Sequence, residues 1–126
     1  MTLAPGMHAR LLIMVEGGDT AAKVGSGDVP VLATPRVLAL AERATVEAIS
    51  GALEPGQTSV GTKVTLEHLA ASPVGAHVEI IAELVAVEGR RLSFTFTARD
   101  HDTVVARGTV ERVVVDRERF LANLTR

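Results

Sequence analysis

One long helical pattern lies between a short strand pattern and a run of longer ones, and this order is the strongest constraint on the fold. The helix is predicted to begin at Thr34-Pro35, because threonine caps helix N-termini and proline suits the first helical turn. It is predicted to end near Leu53, since Pro55 cannot continue the hydrogen-bonded ladder. A lone amphipathic helix of this kind buries its apolar side against a sheet.

The strand patterns alternate apolar and polar side chains, as expected when one face of a sheet is buried. Tight turns at Glu88-Gly89 and at Asp100-His101-Asp102 join the last three strands into an antiparallel meander. The predicted fold class is α+β, with one long central helix wrapped by a curved antiparallel β-sheet of about five strands. We expect a single domain over residues 1–126, with a loop at 19–28 and a short helical segment after Asp116. The strands are predicted at residues 11–15, 60–69, 76–87, 91–99 and 103–115.

Charge and composition exclude several classes of function. The chain carries 13 basic and 15 acidic side chains and only 2% aromatic residues, which is unlike a nucleic-acid-binding protein. It has no cysteine, which excludes disulfides, thiolate catalysis and cysteine zinc sites. The four histidines lack metal-ligand spacing, and no apolar stretch is long enough to span a membrane. We therefore expect a cytoplasmic protein with no metal, no nucleic-acid partner and no membrane partner.

Three polar side chains lie at positions that are unusual for the elements that carry them. With Leu38 as the centre of the apolar stripe of the helix, Glu42 falls about 40° away and therefore within that stripe. His68 shares a strand face with Leu66, so it is expected to point inward, and burial is expected to lower the pKa of its ring. Thr34 is interpreted as the N-cap, where its hydroxyl also lies at the positive end of the helix dipole.

Each of these residues has a structural explanation when it is taken alone. Glu42 then becomes a carboxylate at the edge of the sheet and His68 a hydrogen-bonded core histidine. Arg112, which shares a face with Val110 and Val114, becomes an edge or interface residue. Together, however, a carboxylate, an imidazole and a hydroxyl at a helix N-terminus are the components of an acyl-transfer site. That hypothesis requires the three side chains to meet.

A set of spacings along residues 29–120 carries a resemblance to a known family. Thr34 precedes Glu42 by eight residues, and Gly61-Thr62 precede His68 by seven and six residues. The resemblance also rests on three further sequence features, which are Leu53-Glu54-Pro55-Gly56, the hairpin at residues 87–93 and Gly108-Thr109-x-Glu111-Arg112. On these features the chain resembles the hotdog-fold thioesterases, and specifically the fluoroacetyl-CoA thioesterase-like family.

The resemblance implies a hotdog fold and assigns roles to five residues. Thr34, Glu42 and His68 would form the catalytic triad, Gly61 would lie beside the acyl group, and Arg112 would help to place the thioester or the coenzyme A moiety. It also implies a homodimer with active sites at the subunit interface, and no separate cofactor, because coenzyme A enters only as part of the substrate. Asp28 stands where the fluoroacetyl-specific enzyme has an aromatic lid.

The predicted function is hydrolysis of a small or medium acyl-CoA thioester. Glu42 attacks the carbonyl or orients a water, His68 carries the proton, and Thr34 with nearby backbone N–H groups stabilises the oxyanion. The alternative is a non-catalytic hotdog domain that binds acyl-CoA or a small lipid as a sensor or carrier. A hotdog hydratase ranks lower, because it needs an aspartate and a histidine near the helix start and residues 30–49 contain neither.

Overall fold

The computed structural model describes residues 2–124. The predicted single domain also includes residues 1, 125 and 126, which lie outside this range. All five predicted strands are present, and the first two begin three residues earlier than expected. A short helix follows the last strand, as predicted. The elements are β1 (His8–Met14), α1 (Ala21–Val24), α2 (Thr34–Ile49), β2 (Gln57–His68), β3 (His77–Glu88), β4 (Arg91–Asp100), β5 (Thr103–Asp116) and α3 (Arg117–Ala122).

The five strands form one antiparallel sheet in the order β1-β3-β4-β5-β2. The helix α2 packs on one face of this sheet, which we call the inner face, and it contacts β1 and β3 most extensively. Aliphatic side chains fill the space between them, together with Phe94 and Phe96. The predicted α+β architecture is therefore confirmed.

The long helix begins at Thr34 as predicted, but its predicted N-cap and its predicted end are wrong. Ala33 is the N-cap residue, and Thr34 lies in the first turn with no capping bond from its side chain. At the other end α2 stops at Ile49, four residues before Leu53. The hydroxyl of Ser50 donates to the Glu47 carbonyl at 3.1 Å, and Gly51 follows, which together explain the early end because both residues disfavour a helix interior.

The buried face of α2 is also rotated from the predicted one. Its centre lies roughly 70° away from Leu38 around the helix axis, and Leu38 itself is half-buried. The alanines of this face let the helix approach the sheet closely, so small side chains rather than Leu38 set its orientation. Glu42 consequently lies at the border of the buried face, not within it. The buried residues are Val37, Leu40, Ala41, Ala44, Thr45 and Ile49.

The segment predicted as a loop at 19–28 contains a helical turn instead. Thr20 is buried, and its hydroxyl accepts a hydrogen bond from the Lys23 backbone N–H at the start of α1. Asp19, which ends a 3-10 turn, pairs with Arg36 of α2 at 2.8 Å. A four-residue helix is too short for periodicity to reveal. Among residues 2–124, no helix has the length and apolar character needed to cross a membrane.

Gly108 of β5 marks a close approach between neighbouring strands. A Cβ added there would overlap the backbone carbonyl oxygen of Thr65 on β2 and lie 2.8 Å from the ring of Phe96 on β4. Only glycine permits both contacts, so this position fixes the packing of β2 against β5.

We therefore predict that Gly108→Ala lowers the free energy of unfolding by about 1–3 kcal/mol, the usual effect of overpacking. Chemical denaturation followed by circular dichroism measures the change. Gly51→Ala is the matched control, because a Cβ at Gly51 meets nothing within 4 Å and its φ is not positive. Equal stability of the two variants would contradict this account of Gly108.

Candidate active site

Thr34 and His68 meet at the N-terminal end of α2. Thr34 lies in the first helical turn, and His68 is the last residue of β2, paired with Ala106 of β5 so that it faces inward as predicted. Thr34 Oγ1 lies 2.8 Å from His68 Nδ1. The bond accounts for the missing cap interaction, since the hydroxyl is directed at the imidazole rather than at the helix backbone. Both side chains line a cavity of about 300 Å³.

Burial sets the charge of the imidazole. It lowers the pKa of His68 below its ordinary value of 6.5, and the Ala70 backbone offsets only part of this effect. The predicted lowering of the His68 pKa is confirmed. The ring is therefore neutral at neutral pH and able to accept a proton. Its Nε2 atom is buried and makes no hydrogen bond to any residue of the described part of the chain.

The lowered pKa predicts how stability depends on pH. The unfolded chain binds a proton at His68 more readily than the folded chain does, so stability is lost as pH falls below the unfolded value of 6.5. Urea unfolding of the wild type and His68→Gln between about pH 7.5 and pH 5 measures this, and the wild type should lose more stability. His101→Gln is the control, since that side chain is 90% exposed. Parallel pH profiles for the wild type and His68→Gln would contradict the assignment.

A second cluster surrounds Glu42. Arg112 Nη1 lies 3.4 Å from Glu42 Oε2, and the arginine is only 6% exposed. Two of its other donors reach Ser59, with Nε donating to Oγ at 2.9 Å and Nη2 donating to the backbone carbonyl at 3.0 Å. Burial lowers the pKa of Arg112, and the adjacent Glu42 carboxylate opposes that shift. Three hydrogen bonds thus hold the guanidinium against the carboxylate.

Gly61 makes the space that the Glu42 carboxylate occupies. It pairs with Arg112 across the β2–β5 ladder, just before a register shift between Gly61 and Lys63. A Cβ at this position would lie 2.5 Å from Glu42 Oε2, so any larger residue would displace the carboxylate. The predicted residues Gly61 and Arg112 therefore both contact Glu42 from the strand side.

Ser59 is the residue of this cluster that sequence reasoning missed. A serine on an exposed edge strand carries no signal of its own. Its position becomes informative only once the β2–β5 register is known, because Gly61 is paired with Arg112 and Ser59 lies two residues away on the same strand face. That diagonal distance is within reach of a long side chain such as arginine.

The two clusters lie along one seam between α2 and β2. Thr34 and Glu42 are eight residues apart on α2, or about 12 Å along its axis. Helical side chains tilt toward the N-terminus, so the Glu42 carboxylate leans toward Thr34. No hydrogen bond or ion pair joins the two clusters among residues 2–124. Nor do three histidine, aspartate or glutamate side chains of that part converge as a metal ion would require.

A family model described as fluoroacetyl-CoA-specific thioesterase matches residues 15–118. The chain belongs to this family. A fluoroacetyl-CoA thioesterase from Streptantibioticus cattleyicolor is 44% identical over 94 residues, which cover 75% of this chain and 68% of that protein. A variant of a fluoroacetyl-CoA thioesterase solved with acetyl-CoA is 34% identical, with a TM-score of 0.90 over 97% of this chain and 96% of that one. A hot-dog-like protein from Thermanaerovibrio acidaminovorans is 26% identical, with a TM-score of 0.85 over 97% and 93%.

Family membership confirms two predictions. The fold is the hotdog fold, and the chain falls among thioester hydrolases, so the prediction of an enzyme of that class holds. The matches do not assign roles to individual side chains. The roles predicted for five residues therefore stay predictions, to which the structure adds distances and contacts. These residues are Thr34, Glu42, His68, Gly61 and Arg112.

Proposed function

We propose that this protein hydrolyses the thioester of a small or medium acyl-CoA, with Thr34, Glu42 and His68 as its catalytic residues. The observation that carries the proposal is the 2.8 Å contact between Thr34 and His68 at a cavity on the same seam as Glu42. Family membership supports the substrate class, since the relatives are named for fluoroacetyl-CoA and one was solved with acetyl-CoA.

In the proposed reaction the thioester carbonyl lies between the two clusters. The Glu42 carboxylate orients a water that attacks the carbonyl carbon, or it attacks that carbon itself; in the second route the C–S bond breaks, the thiolate leaves, and a water then hydrolyses the acyl–Glu42 anhydride. Thr34, at the positive end of α2, stabilises the oxyanion as it forms. His68 is neutral at the start, so it accepts a proton from water and returns it to the departing thiolate. One thioester and one water give a carboxylic acid and free coenzyme A, with no separate cofactor.

Arg112 and Gly61 support Glu42 in this proposal. The guanidinium holds the carboxylate in place through their ion pair, and Gly61 leaves room for it and for the acyl group. Because Arg112 is almost fully buried, we propose that it acts on substrate through Glu42 rather than by touching coenzyme A.

We also propose that the active protein is a homodimer with its sites at the subunit interface. The strand β2 has β5 on one side and an open edge on the other. Val64 lies on the same inward face of β2 as His68, yet its side chain is 38% exposed. A second copy of β2 would pair with this edge and cover both side chains. A cytoplasmic location stays a prediction.

The cavity beside Thr34 and His68 supports a range of acyl chains. Apart from His68, small and aliphatic side chains line it, with no Phe, Tyr or Trp among them, and Asp28 is exposed and takes no part in the lining. Its volume of about 300 Å³ is at the lower end for ligand pockets, which suits short and medium acyl groups.

Thiol release from a panel of acyl-CoAs tests the proposal. We expect hydrolysis of short and medium chains, and we expect Glu42→Gln to lower kcat at least about 100-fold, the usual scale for losing an acid–base or nucleophilic group. The substitution keeps the shape of the side chain and removes its charge. Glu47→Gln is the matched control, because it lies on the same helix but is exposed and paired only with Arg43.

Two results would overturn the proposal. Hydrolysis at background rate across the whole panel, combined with calorimetric binding of acyl-CoA, would favour the sensor or carrier function instead. Equal kcat for the wild type and Glu42→Gln would remove Glu42 from the reaction.

A further inference from the structure

The first turn of α2 has no cap of its own. Its N-cap residue is Ala33, whose side chain cannot accept a hydrogen bond, and no acidic residue lies in the turn. A helix end that lacks such groups opens readily unless another part of the chain holds it. Thr34 follows directly after Ala33, so whatever holds this turn also fixes where the Thr34 hydroxyl points.

Asp19 binds this turn at two points. Its backbone carbonyl accepts from the Ala33 N–H at 2.9 Å, and its Oδ1 accepts from Arg36 Nε at 2.8 Å. The Asp19 side chain is only 15% exposed, so water and salt weaken the ion pair less than they would at the surface. A backbone bond and an ion pair therefore hold the chain on either side of Thr34.

Asp19 is itself fixed to the sheet. Its Oδ2 accepts from the Glu16 backbone N–H at 2.9 Å, which closes the 3-10 turn. Val15 precedes this turn at the end of β1, is fully buried, and donates its backbone N–H to the Ala76 carbonyl beside β3. The Asp19 carboxylate thus connects a turn anchored on the sheet to the start of α2.

The carboxylate of Asp19 remains charged in this setting. Burial alone raises its pKa, but the Glu16 N–H and the Arg36 guanidinium outweigh that effect, so the pKa lies below its ordinary value of 3.8. Both oxygens therefore accept hydrogen bonds at neutral pH. An asparagine here would offer one acceptor to two donors and would leave one donor unpaired.

Arg36 and Thr34 point to opposite sides of α2. Two residues along a helix correspond to a rotation of about 200° around its axis. Arg36 therefore holds the turn on one side, while the Thr34 hydroxyl lies 2.8 Å from His68 Nδ1 on the other. Rotation or opening of the turn would carry the hydroxyl out of hydrogen-bond range, so the contact with His68 depends on the grip behind it.

We propose that Asp19 is a positioning residue of the active site, which holds the first turn of α2 so that the Thr34 hydroxyl stays on His68. Its effect on catalysis rests on the proposed function, in which Thr34 stabilises the oxyanion. Among the described residues, no side-chain hydrogen bond joins Asp19 to Thr34 or to His68. Asp19 therefore acts through the helix and not on the substrate.

The kinetics of two variants test this inference. Asp19→Asn removes the charge and one acceptor, and Arg36→Gln breaks the same ion pair from the helix side without altering the 3-10 turn. We expect each variant to lower kcat for a short acyl-CoA about tenfold, within the range for a slightly misplaced catalytic group. KM should not change, because oxyanion stabilisation is lost only in the transition state. Arg43→Gln is the matched control, since it breaks an exposed ion pair on the same helix.

Nitrogen-15 NMR of the His68 ring measures the positioning without any turnover. The Nδ1 signal is identified by its loss in His68→Gln. In Asp19→Asn and Arg36→Gln it should move toward its position in Thr34→Ala, where the hydroxyl is absent. In Arg43→Gln it should stay in place.

An unmoved Nδ1 signal in both variants, each shown by circular dichroism to be folded, would overturn the inference. A kcat equal to that of the wild type in both variants would overturn it as well. Absence of hydrolysis by the wild type would instead overturn the proposed function, and the ring signal would still decide whether Asp19 positions Thr34.

Discussion

The proposed site depends most on the ion pair between the buried guanidinium of Arg112 and the carboxylate of Glu42. A charge that is only 6% exposed is costly unless it is paired, and here Glu42 and Ser59 provide the acceptors. To bring them together, α2 must present Glu42 at the border of its buried face, and β2 must register with β5 so that Gly61 stands opposite Arg112. The orientation of the helix and the alignment of an edge strand are therefore joined at one ion pair.

The same two elements determine the other end of the seam. Once Gly61 is paired with Arg112, the β2–β5 ladder runs on to His68 opposite Ala106, and Thr34 at the start of α2 meets the imidazole. Gly108 maintains this alignment through its contact with the Thr65 backbone, midway between the clusters. The seam thus carries a neutral imidazole bonded to a hydroxyl at one end and a paired carboxylate at the other.

The order of elements and the apolar alternation were enough to predict the sheet, the helix and the inward direction of His68. The orientation of α2 was not predictable in this way, because Ala41 and Ala44 contribute little to the hydrophobicity pattern of the helix. They nevertheless control how closely the helix approaches the sheet. The interpretation of Thr34 as an N-cap was wrong for a similar reason. Its hydroxyl bonds to a residue 34 positions away, which no local pattern contains. Ser59 entered the site through a strand register that only the folded chain defines.

The central claim is that both clusters act on one thioester. A double-mutant cycle with Glu42→Gln, His68→Gln and the combined variant tests it most directly, with kcat/KM for a short acyl-CoA as the readout. Groups that act as one catalytic unit are strongly non-additive, so the combined variant should lose about as much activity as the worse single variant. Losses that multiply, as they do for independent sites, would contradict the claim.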